Sequence, residues 1–307
     1  MAEGLLRQGA KLTIVDCLDD FYAEARKRAN LREIEKAGAY DFIQADICDA
    51  AAVRAAMEGA KPDCVVHLAA RAGVRPSIEQ PALYERVNVG GTVNLLEASR
   101  QYGVRQFVFG SSSSVYGESG NVPFREDEAQ MRPISPYAAT KLAGELMCYT
   151  YAHLHGLPSV CLRFFTVFGP RQRPDLAIHK FTALIEAGKA IPVFGDGSSG
   201  RDYTYVEDIV AGVLAALDYR PESDTPFDIL NLGNSHPVKL SRLIEQLEVA
   251  TGKKANRDVQ PMQPGDVTLT WADISRARER LRYEPRTSLA EGLEKFVAWY
   301  QATRTTA

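Results

Sequence analysis

A tyrosine and a lysine four residues apart are the strongest chemical signal in the sequence. Tyr137 and Lys141 lie in the run Ser-Pro-Tyr-Ala-Ala-Thr-Lys, inside a predicted helix over residues 136–155. Residues at i and i+4 share one helix face, so the phenol and the ammonium can point into one site. Because a neighbouring cation favours the phenolate, the pair predicts a general base for a hydroxyl group. The spacing also occurs on helices without catalysis, which leaves a structural role open for the pair alone.

Four consecutive serines, Ser111 to Ser114, follow the apolar run Gln106–Phe109. A parallel sheet exposes its catalytic edge where its strands end, so these hydroxyls are predicted to lie at that edge. There Ser112 can form a hydrogen bond with the oxygen whose proton the tyrosine removes. A polar serine-rich loop without a role is the alternative. The joint presence of the Tyr-Lys pair favours the catalytic interpretation.

Strand-forming runs alternate with helical segments through the first half of the chain. The predicted strands are at residues 11–16, 40–46, 63–68 and 106–109, and the predicted helices are at residues 22–37 and 83–102. Such alternation predicts an α/β fold, with a Rossmann-type doubly wound parallel sheet. The continuous apolar character of Val-Val-His-Leu-Ala-Ala and Gln-Phe-Val-Phe-Gly is typical of strands buried on both faces.

After about residue 165 the pattern changes to turns rich in Gly, Pro and Arg. Helices are predicted at residues 176–187, 206–218, 239–251 and 288–301. We therefore expect a dinucleotide-binding domain over residues 1–165. Residues 166–307 would form mainly a smaller α+β substrate-binding lobe, with some segments returning to the sheet.

Composition narrows the classes of function. The net charge is −3 and the chain has no long basic run, which argues against a nucleic-acid partner. The five histidines do not pair with carboxylates at metal-ligand spacing, so no metal is expected. The five cysteines are scattered and are expected to be reduced. No signal peptide or membrane span is evident, so we expect a cytoplasmic protein with no membrane partner.

These features, taken together, resemble the extended short-chain dehydrogenases that act on nucleotide sugars, most closely the UDP-glucuronate 4-epimerase type. Besides the serine run and the Tyr-Lys pair, the resemblance rests on segments spread over the whole chain. They are Val15–Tyr22, His67–Arg75, Asn88–Thr92, Leu162–Pro170, Gly200–Asp208 and Pro261–Asp266.

The resemblance implies NAD as the cofactor. The implied cofactor-binding residues are Asp16, Asp46, Ile47, Ala69, Ala70, Asn88, Tyr137 and Lys141. Asp16, at the end of its strand, would bind the adenosine ribose, and its charge would repel the 2′-phosphate of NADP. Asp46 and Ile47 would border the adenine. For small residues such as Ala69, close packing explains the residue type equally well.

The resemblance also implies C4 epimerisation through a 4-keto sugar, with Ser112, Tyr137 and Lys141 as the catalytic residues. Relatives that eliminate water carry an Asp-Glu pair where this chain has Ser113 and Ser114. Elimination needs an acid and a base, and this chain supplies neither there. Two alternatives stay open: an epimerase for UDP-glucose and UDP-galactose, and a non-catalytic nucleotide-binding relative.

The implied substrate contacts come from both halves of the chain. Ser113, Ser114 and Thr166 would hold the C6 carboxylate of the sugar, although a neutral CH2OH group could use the same donors. Arg173 and Arg201 would bind the diphosphate, unless they are ordinary solvated surface arginines. Asp266 would accept a hydrogen bond from the nucleotide ribose. The resemblance suggests a homodimer, formed through the helices at residues 83–102 and 136–155.

Members of this family open with a strand and a glycine-rich turn that meets the cofactor pyrophosphate. Here the first residues, Met-Ala-Glu-Gly-Leu-Leu-Arg-Gln-Gly, are similar to the helix that follows that turn. Relative to the family, roughly twenty residues are absent. We therefore expect the chain as written to bind NAD weakly and to fold marginally.

Overall fold

The computed structural model describes residues 1–261 and 267–304. The strands are β1 Thr13–Asp16, β2 Asp41–Gln44, β3 Cys64–His67, β4 Gln106–Ser112, β5 Ser159–Phe164, β6 Thr166–Phe168, β7 Ala190–Phe194, β8 Gly200–Tyr205, β9 Phe227–Leu232, β10 Pro237–Lys239 and β11 Asn256–Gln260. The helices are α1 Ala2–Arg7, α2 Glu24–Glu35, α3 Ala50–Ala60, α4 Val74–Glu79, α5 Pro81–Tyr84, α6 Gly91–Gln101, α7 Pro136–His155, α8 Ala177–Glu186, α9 Val206–Asp218, α10 Leu240–Thr251, α11 Ser275–Leu281 and α12 Leu289–Arg304. A π-helical turn spans Glu85–Gly90 and a 3₁₀ turn spans Ser113–Tyr116.

The main sheet is parallel, with the strand order β3-β4-β5-β9. Every residue of β4 is buried, as expected for a central strand covered on both faces. Val108 and Leu162 pack in one apolar cluster with residues of α9 and α11. Phe107 and Phe109 pack in another with residues of α3 and α6. This arrangement confirms the predicted α/β, Rossmann-like fold.

Strands β1 and β2 form a second parallel pair. Within the described residues, no ladder of hydrogen bonds joins β1 to β3, so the parallel strands of the first half of the chain lie in two separate sheets. A strand that is paired on one side only is more exposed than a strand that is paired on both sides. Three of the four residues in each of β1 and β3 are only half-buried, whereas β4, paired on both sides, is buried throughout.

The second half of the chain contributes to both parts of the molecule. Strand β9 returns to the main sheet and pairs in parallel with β5. The other strands of this half form small sheets, β10-β8-β6 and β11-β7. A separate apolar cluster, which includes Phe181, Leu243 and Phe296, packs this half together.

Helix α7 begins and ends at local sequence signals. The Ser135 hydroxyl accepts a hydrogen bond from the Ala138 N–H (3.2 Å), and Pro136 occupies the first turn. Gly156, with φ of 63°, ends the helix in the left-handed conformation. A Cβ atom added at Gly144 would lie 2.4 Å from the Phe109 ring. The missing side chain therefore lets α7 lie directly against β4. No helix among the described residues is long and apolar enough to cross a bilayer.

Candidate active site

Tyr137 lies in the first turn of α7, beside the end of β4. The Ser112 side chain lies close enough to the phenol to lower its pKa. The ring meets the buried ring of Tyr84 edge-on, with centroids 6.3 Å apart and planes at 88°. Burial raises the pKa of Tyr137, and this effect outweighs the lowering by the nearby Ser112 side chain and by the charge of Arg173. The structure thus brings Ser112 close to Tyr137, and the predicted contact of Ser112 with the substrate oxygen stays a prediction.

Lys141 lies one turn further along α7 and is 4% exposed. Its ammonium donates a hydrogen bond to the Gly110 carbonyl (2.7 Å) and lies 4.9 Å from the centre of the Phe109 ring. Burial lowers the pKa of Lys141 to about 8. The expectation that Lys141 lowers the pKa of Tyr137 is wrong for this arrangement, because the groups that lower it are Ser112 and Arg173.

The serine run changes conformation at Ser112. This residue ends β4 in an extended conformation, and the 3₁₀ turn of residues 113–116 follows. The Ser112 hydroxyl accepts a hydrogen bond from the Ser114 N–H and donates one to the Ser114 hydroxyl, both at 3.2 Å. The turn therefore separates Ser112, which faces Tyr137, from Ser113 and Ser114, which face a cleft.

This cleft lies between the serine run and the second half of the chain. Its lining residues are Val74, Ser113, Ser114, Gly117, Ile134, Ser135, Thr166, Arg201, Val267 and Thr270. The structure thus brings together four of the predicted substrate-binding residues. None of the described lining residues is a carboxylic acid. The cleft offers hydroxyl groups and one guanidinium, which suit an anionic ligand.

Two other predicted substrate residues have different placements. Arg173 forms an ion pair with Asp175 (2.9 Å) and lies 5.2 Å from the centre of the Phe21 ring. Its charge lowers the pKa of Tyr137. Arg173 is not among the described lining residues of the cleft, and its charge acts on the Tyr137 phenol. Asp266 lies outside the described residues.

The predicted cofactor-binding residues lie where the first three strands end. Asp16 is exposed, and its carboxylate accepts a hydrogen bond from the Leu18 N–H (2.7 Å). Asp46 accepts one in the same way from the Cys48 N–H (2.9 Å). Ala69 and Ala70 are half-buried. Ile47 is only 6% exposed and packs in the core beside Gly91, so its side chain is core filling, and its carbonyl accepts a hydrogen bond from the Asn94 amide (2.9 Å).

Asn88 joins two loops and a helix. Its side-chain carbonyl accepts from the Arg71 N–H (2.8 Å), and its amide donates to the Arg71 carbonyl and to the Thr140 hydroxyl, both at 3.0 Å. These bonds use both amide hydrogens. Asn88 therefore fixes the loop after β3 against α7, and it has no N–H left to donate to a cofactor.

His67 was not predicted as part of the site, although it ends β3 beside the catalytic helix. It is 3% exposed, and its Nε2 atom lies 2.9 Å from the Thr92 hydroxyl. Burial, together with the nearby charge of Lys141, lowers the pKa of His67 to about 3. The imidazole is therefore neutral at physiological pH. The sequence signals for it are its position at the end of β3 and its place in the segment His67–Arg75 that carries the family resemblance.

A tyrosine, a serine and a buried lysine beside the end of a parallel strand, with acids after the first two strands of the chain, define an extended short-chain dehydrogenase. The family model described as GDP-mannose 4,6 dehydratase matches residues 1–296, and the chain belongs to this family. It is 43% identical over 301 residues to a UDP-glucuronate 4-epimerase of Thermodesulfobacterium geofontis, covering 97% of this chain and 91% of that protein.

Solved structures agree with this assignment. One is the UDP-glucuronic acid 4-epimerase from Bacillus cereus in complex with UDP-glucuronic acid and NAD. It has a TM-score of 0.91 and 34% identity, covering 98% of this chain and 95% of that one. Another is the UDP-glucose 4-epimerase from Thermotoga maritima with UDP-glucose. It has a TM-score of 0.90 and 32% identity, covering 98% and 94%. The fold is therefore shared with nucleotide-sugar 4-epimerases over nearly the whole chain.

Proposed function

We propose that the protein catalyses NAD-dependent C4 epimerisation of UDP-glucuronate to UDP-galacturonate. The observation that carries this proposal is the proximity of Ser112 to the Tyr137 phenol, beside a cleft whose described lining contains no carboxylic acid. Abstraction of a hydroxyl proton needs only the phenol and its partner. Elimination of water, in contrast, needs an additional acid and base. The arrangement therefore supports epimerisation over dehydration.

The residues at the strand ends fit NAD. Asp16 is exposed at the end of β1, where a carboxylate can accept from a ribose hydroxyl and repel a 2′-phosphate. Ala69 and Ala70 leave room for close approach of the cofactor. Lys141 would hold the nicotinamide ribose. When bound there, NAD would supply a hydride acceptor and donor for C4 of the sugar.

The side chains of the chain itself handle the proton. Tyr137 accepts the proton of the C4 hydroxyl, while Ser112 forms a hydrogen bond with the same oxygen. The resulting 4-keto sugar turns about its diphosphate, and Tyr137 then returns the proton to the C4 oxygen. Burial keeps the phenol protonated in the described arrangement, and Tyr137 must be ionised to act as the base. An added positive charge nearby favours this ionisation. Arg173 already acts in this direction.

The cleft residues support a uronate substrate. Ser113, Ser114 and Thr166 present hydroxyl groups that can donate to a C6 carboxylate. Arg201, on the same cleft, would bind the diphosphate. The second candidate is a neutral hexose, because the Thermotoga maritima neighbour binds UDP-glucose and a CH2OH group can use the same hydroxyls. In both cases residues 1–165 would bind the cofactor, and residues 166–307 would bind mainly the substrate.

We also propose a homodimer that involves α7. Three large apolar side chains on this helix, Leu146, Tyr149 and Leu154, are 59%, 46% and 64% exposed. A second copy would cover this surface, and light scattering of the purified protein measures the mass that decides it.

All five cysteines are free thiols. This state is typical of the cytoplasm, where we place the protein.

The test of the function is a direct assay. The purified protein, supplied with NAD, is incubated with UDP-glucuronate and separately with UDP-glucose, and inversion at C4 is followed by NMR. We expect faster inversion with UDP-glucuronate. Tyr137→Phe removes the base and should lower kcat by at least about a hundredfold. A Tyr137→Phe protein with wild-type turnover would overturn the assignment of the base, and a higher kcat/KM for UDP-glucose would favour the hexose.

A further inference from the structure

A fully buried ion pair lies beneath the serine run. Glu145 on α7 and Arg163 on β5 have side-chain exposures of 2% and 1%. The carboxylate accepts from Arg163 Nη2 at 2.7 Å and from Nε at 2.9 Å. Burial by itself lowers the pKa of Arg163, but the hydrogen bonds and charge of Glu145 outweigh burial and raise it. Arg163 therefore stays charged.

Stability alone gives a poor account of such a pair. The cost of removing two charges from water commonly cancels their attraction, and apolar residues of similar size often serve equally well. A buried ionic network can instead specify one arrangement of the groups around it. The question is therefore which groups this pair fixes.

The pair holds the serine run at both of its ends. The Ser111 hydroxyl, directly before Ser112, donates to Glu145 Oε1 at 2.5 Å. At the other end, the Tyr116 hydroxyl accepts from Arg163 Nη1 at 2.9 Å and donates to Asn231 Oδ1 at 2.7 Å. Ser112, Ser113 and Ser114 thus lie between two anchored residues.

Glu145 also belongs to the helix that carries the base. Tyr137, Lys141 and Glu145 follow one another at intervals of four residues on α7, so they lie along one side of the helix. One carboxylate therefore connects the helix of the phenol to the strand that ends at Ser112. The Ser112–Tyr137 contact depends on the relative position of these two elements.

We infer that Glu145 and Arg163 are positioning residues, which hold Ser112 against Tyr137 through Ser111 and Tyr116. This inference rests on the proposed function. Loss of an anchor leaves the catalytic groups present but lets the serine run shift relative to the phenol. A displacement of about 1 Å in an active site can lower the rate by up to about a hundredfold.

Two variants remove one anchor each and keep the ion pair, namely Tyr116→Phe and Ser111→Ala. We expect each to lower kcat by about tenfold or more, with a smaller change in KM. Tyr283→Phe is the matched control. Its buried hydroxyl donates to the Gly233 carbonyl (3.0 Å), away from the serine run. The control should lose a similar amount of thermal stability and keep kcat within about twofold of the wild type.

A double-mutant cycle separates positioning from general destabilisation. If Tyr116 acts through Ser112, then Tyr116→Phe should have almost no further effect on kcat in a Ser112→Ala background. A fall in kcat of the same size in both backgrounds would overturn the inference, as would wild-type kcat in both single variants. If Tyr116→Phe fails to fold, the cycle is run with Ser111→Ala. The wild type is assayed before any variant, because a wild-type protein without epimerase activity would instead refute the proposed function.

Discussion

Tyr137 and Lys141 respond to burial in opposite directions. Burial raises the pKa of the phenol and lowers the pKa of the ammonium to about 8, so both groups are shifted toward their neutral forms. In the described arrangement the ammonium bonds to the Gly110 carbonyl. The catalytic charge state of the pair therefore depends on what binds beside it, and the free protein carries an energetic cost for keeping Lys141 charged.

This cost predicts that Lys141→Met is more stable than the wild type at neutral pH. Below about pH 8 Lys141 is charged in both the folded and the unfolded chain, so its burial penalty is fully present. Between about pH 8 and 10.5 only the unfolded chain keeps the proton, and the penalty disappears. We expect a gain of about 1–3 kcal/mol at pH 7, which shrinks by pH 10. Epimerase activity should be lost.

Thermal or urea unfolding at pH 7 and pH 10 measures this difference. Lys180→Met, on an exposed position of α8, is the control and should show no such pH-dependent gain. Equal destabilisation by Lys141→Met at both pH values would show that the contacts of the ammonium, and not its burial, dominate.

The sequence predicted the groups of the site better than their energetics. Ser112 and Tyr137 lie together because strand ends and helix faces follow from local pattern. The sign of the pKa shift at Tyr137 could not be predicted, because it depends on burial by distant segments. Ile47 shows the same limit, since its side chain belongs to the core beside Gly91.

Among the elements, α7 agrees with its predicted range of 136–155, because Ser135, Pro136 and Gly156 are local signals. The helix predicted at residues 83–102 is interrupted by the π-helical turn Glu85–Gly90. Asn88 in that turn bonds to Arg71 and Thr140, and such long-range contacts leave no local pattern. The pairing of β9 with β5 joins segments that are far apart in the chain, so it also leaves no local pattern.

The contact between α7 and β4 yields a prediction at Gly144. An added Cβ atom would lie 2.4 Å from the Phe109 ring, so Gly144→Ala must displace either this buried ring or the helix itself. We expect a loss of about 1–3 kcal/mol in stability and a clear fall in kcat, because Tyr137 and Lys141 move with the helix. Gly59→Ala on α3 is the matched control, since nothing lies within 4 Å of its added Cβ.

Unfolding curves and steady-state kinetics on both variants give the answer. Gly59→Ala should be neutral or slightly stabilising, because alanine is the better helix former. If Gly144→Ala kept wild-type kcat, the close packing of α7 on β4 would not be what positions the base.

At the level of the whole molecule, the division into two parallel sheets predicts unequal local stability. Strand β4 is buried throughout and pairs with β3 and β5. Strand β1 pairs with β2 and is half-buried. Strands that lack a covered edge open in local fluctuations, while central strands open only on global unfolding. We therefore expect amide hydrogens of β4 to exchange far more slowly than those of β1.

Hydrogen exchange measured by mass spectrometry, with and without NAD, tests whether the cofactor binds at the end of β1. Asp16 ends β1, so a cofactor that binds this carboxylate should slow exchange in the peptide that contains β1, because a ligand stabilises the state to which it binds. The parallel pair β7–β11 is the internal control, since it lies in the second half and carries none of the predicted NAD contacts. Slower exchange in β7–β11 with β1 unchanged would place the cofactor elsewhere. Protection of β1 equal to that of β4 before NAD is added would show that the two sheets open as one unit.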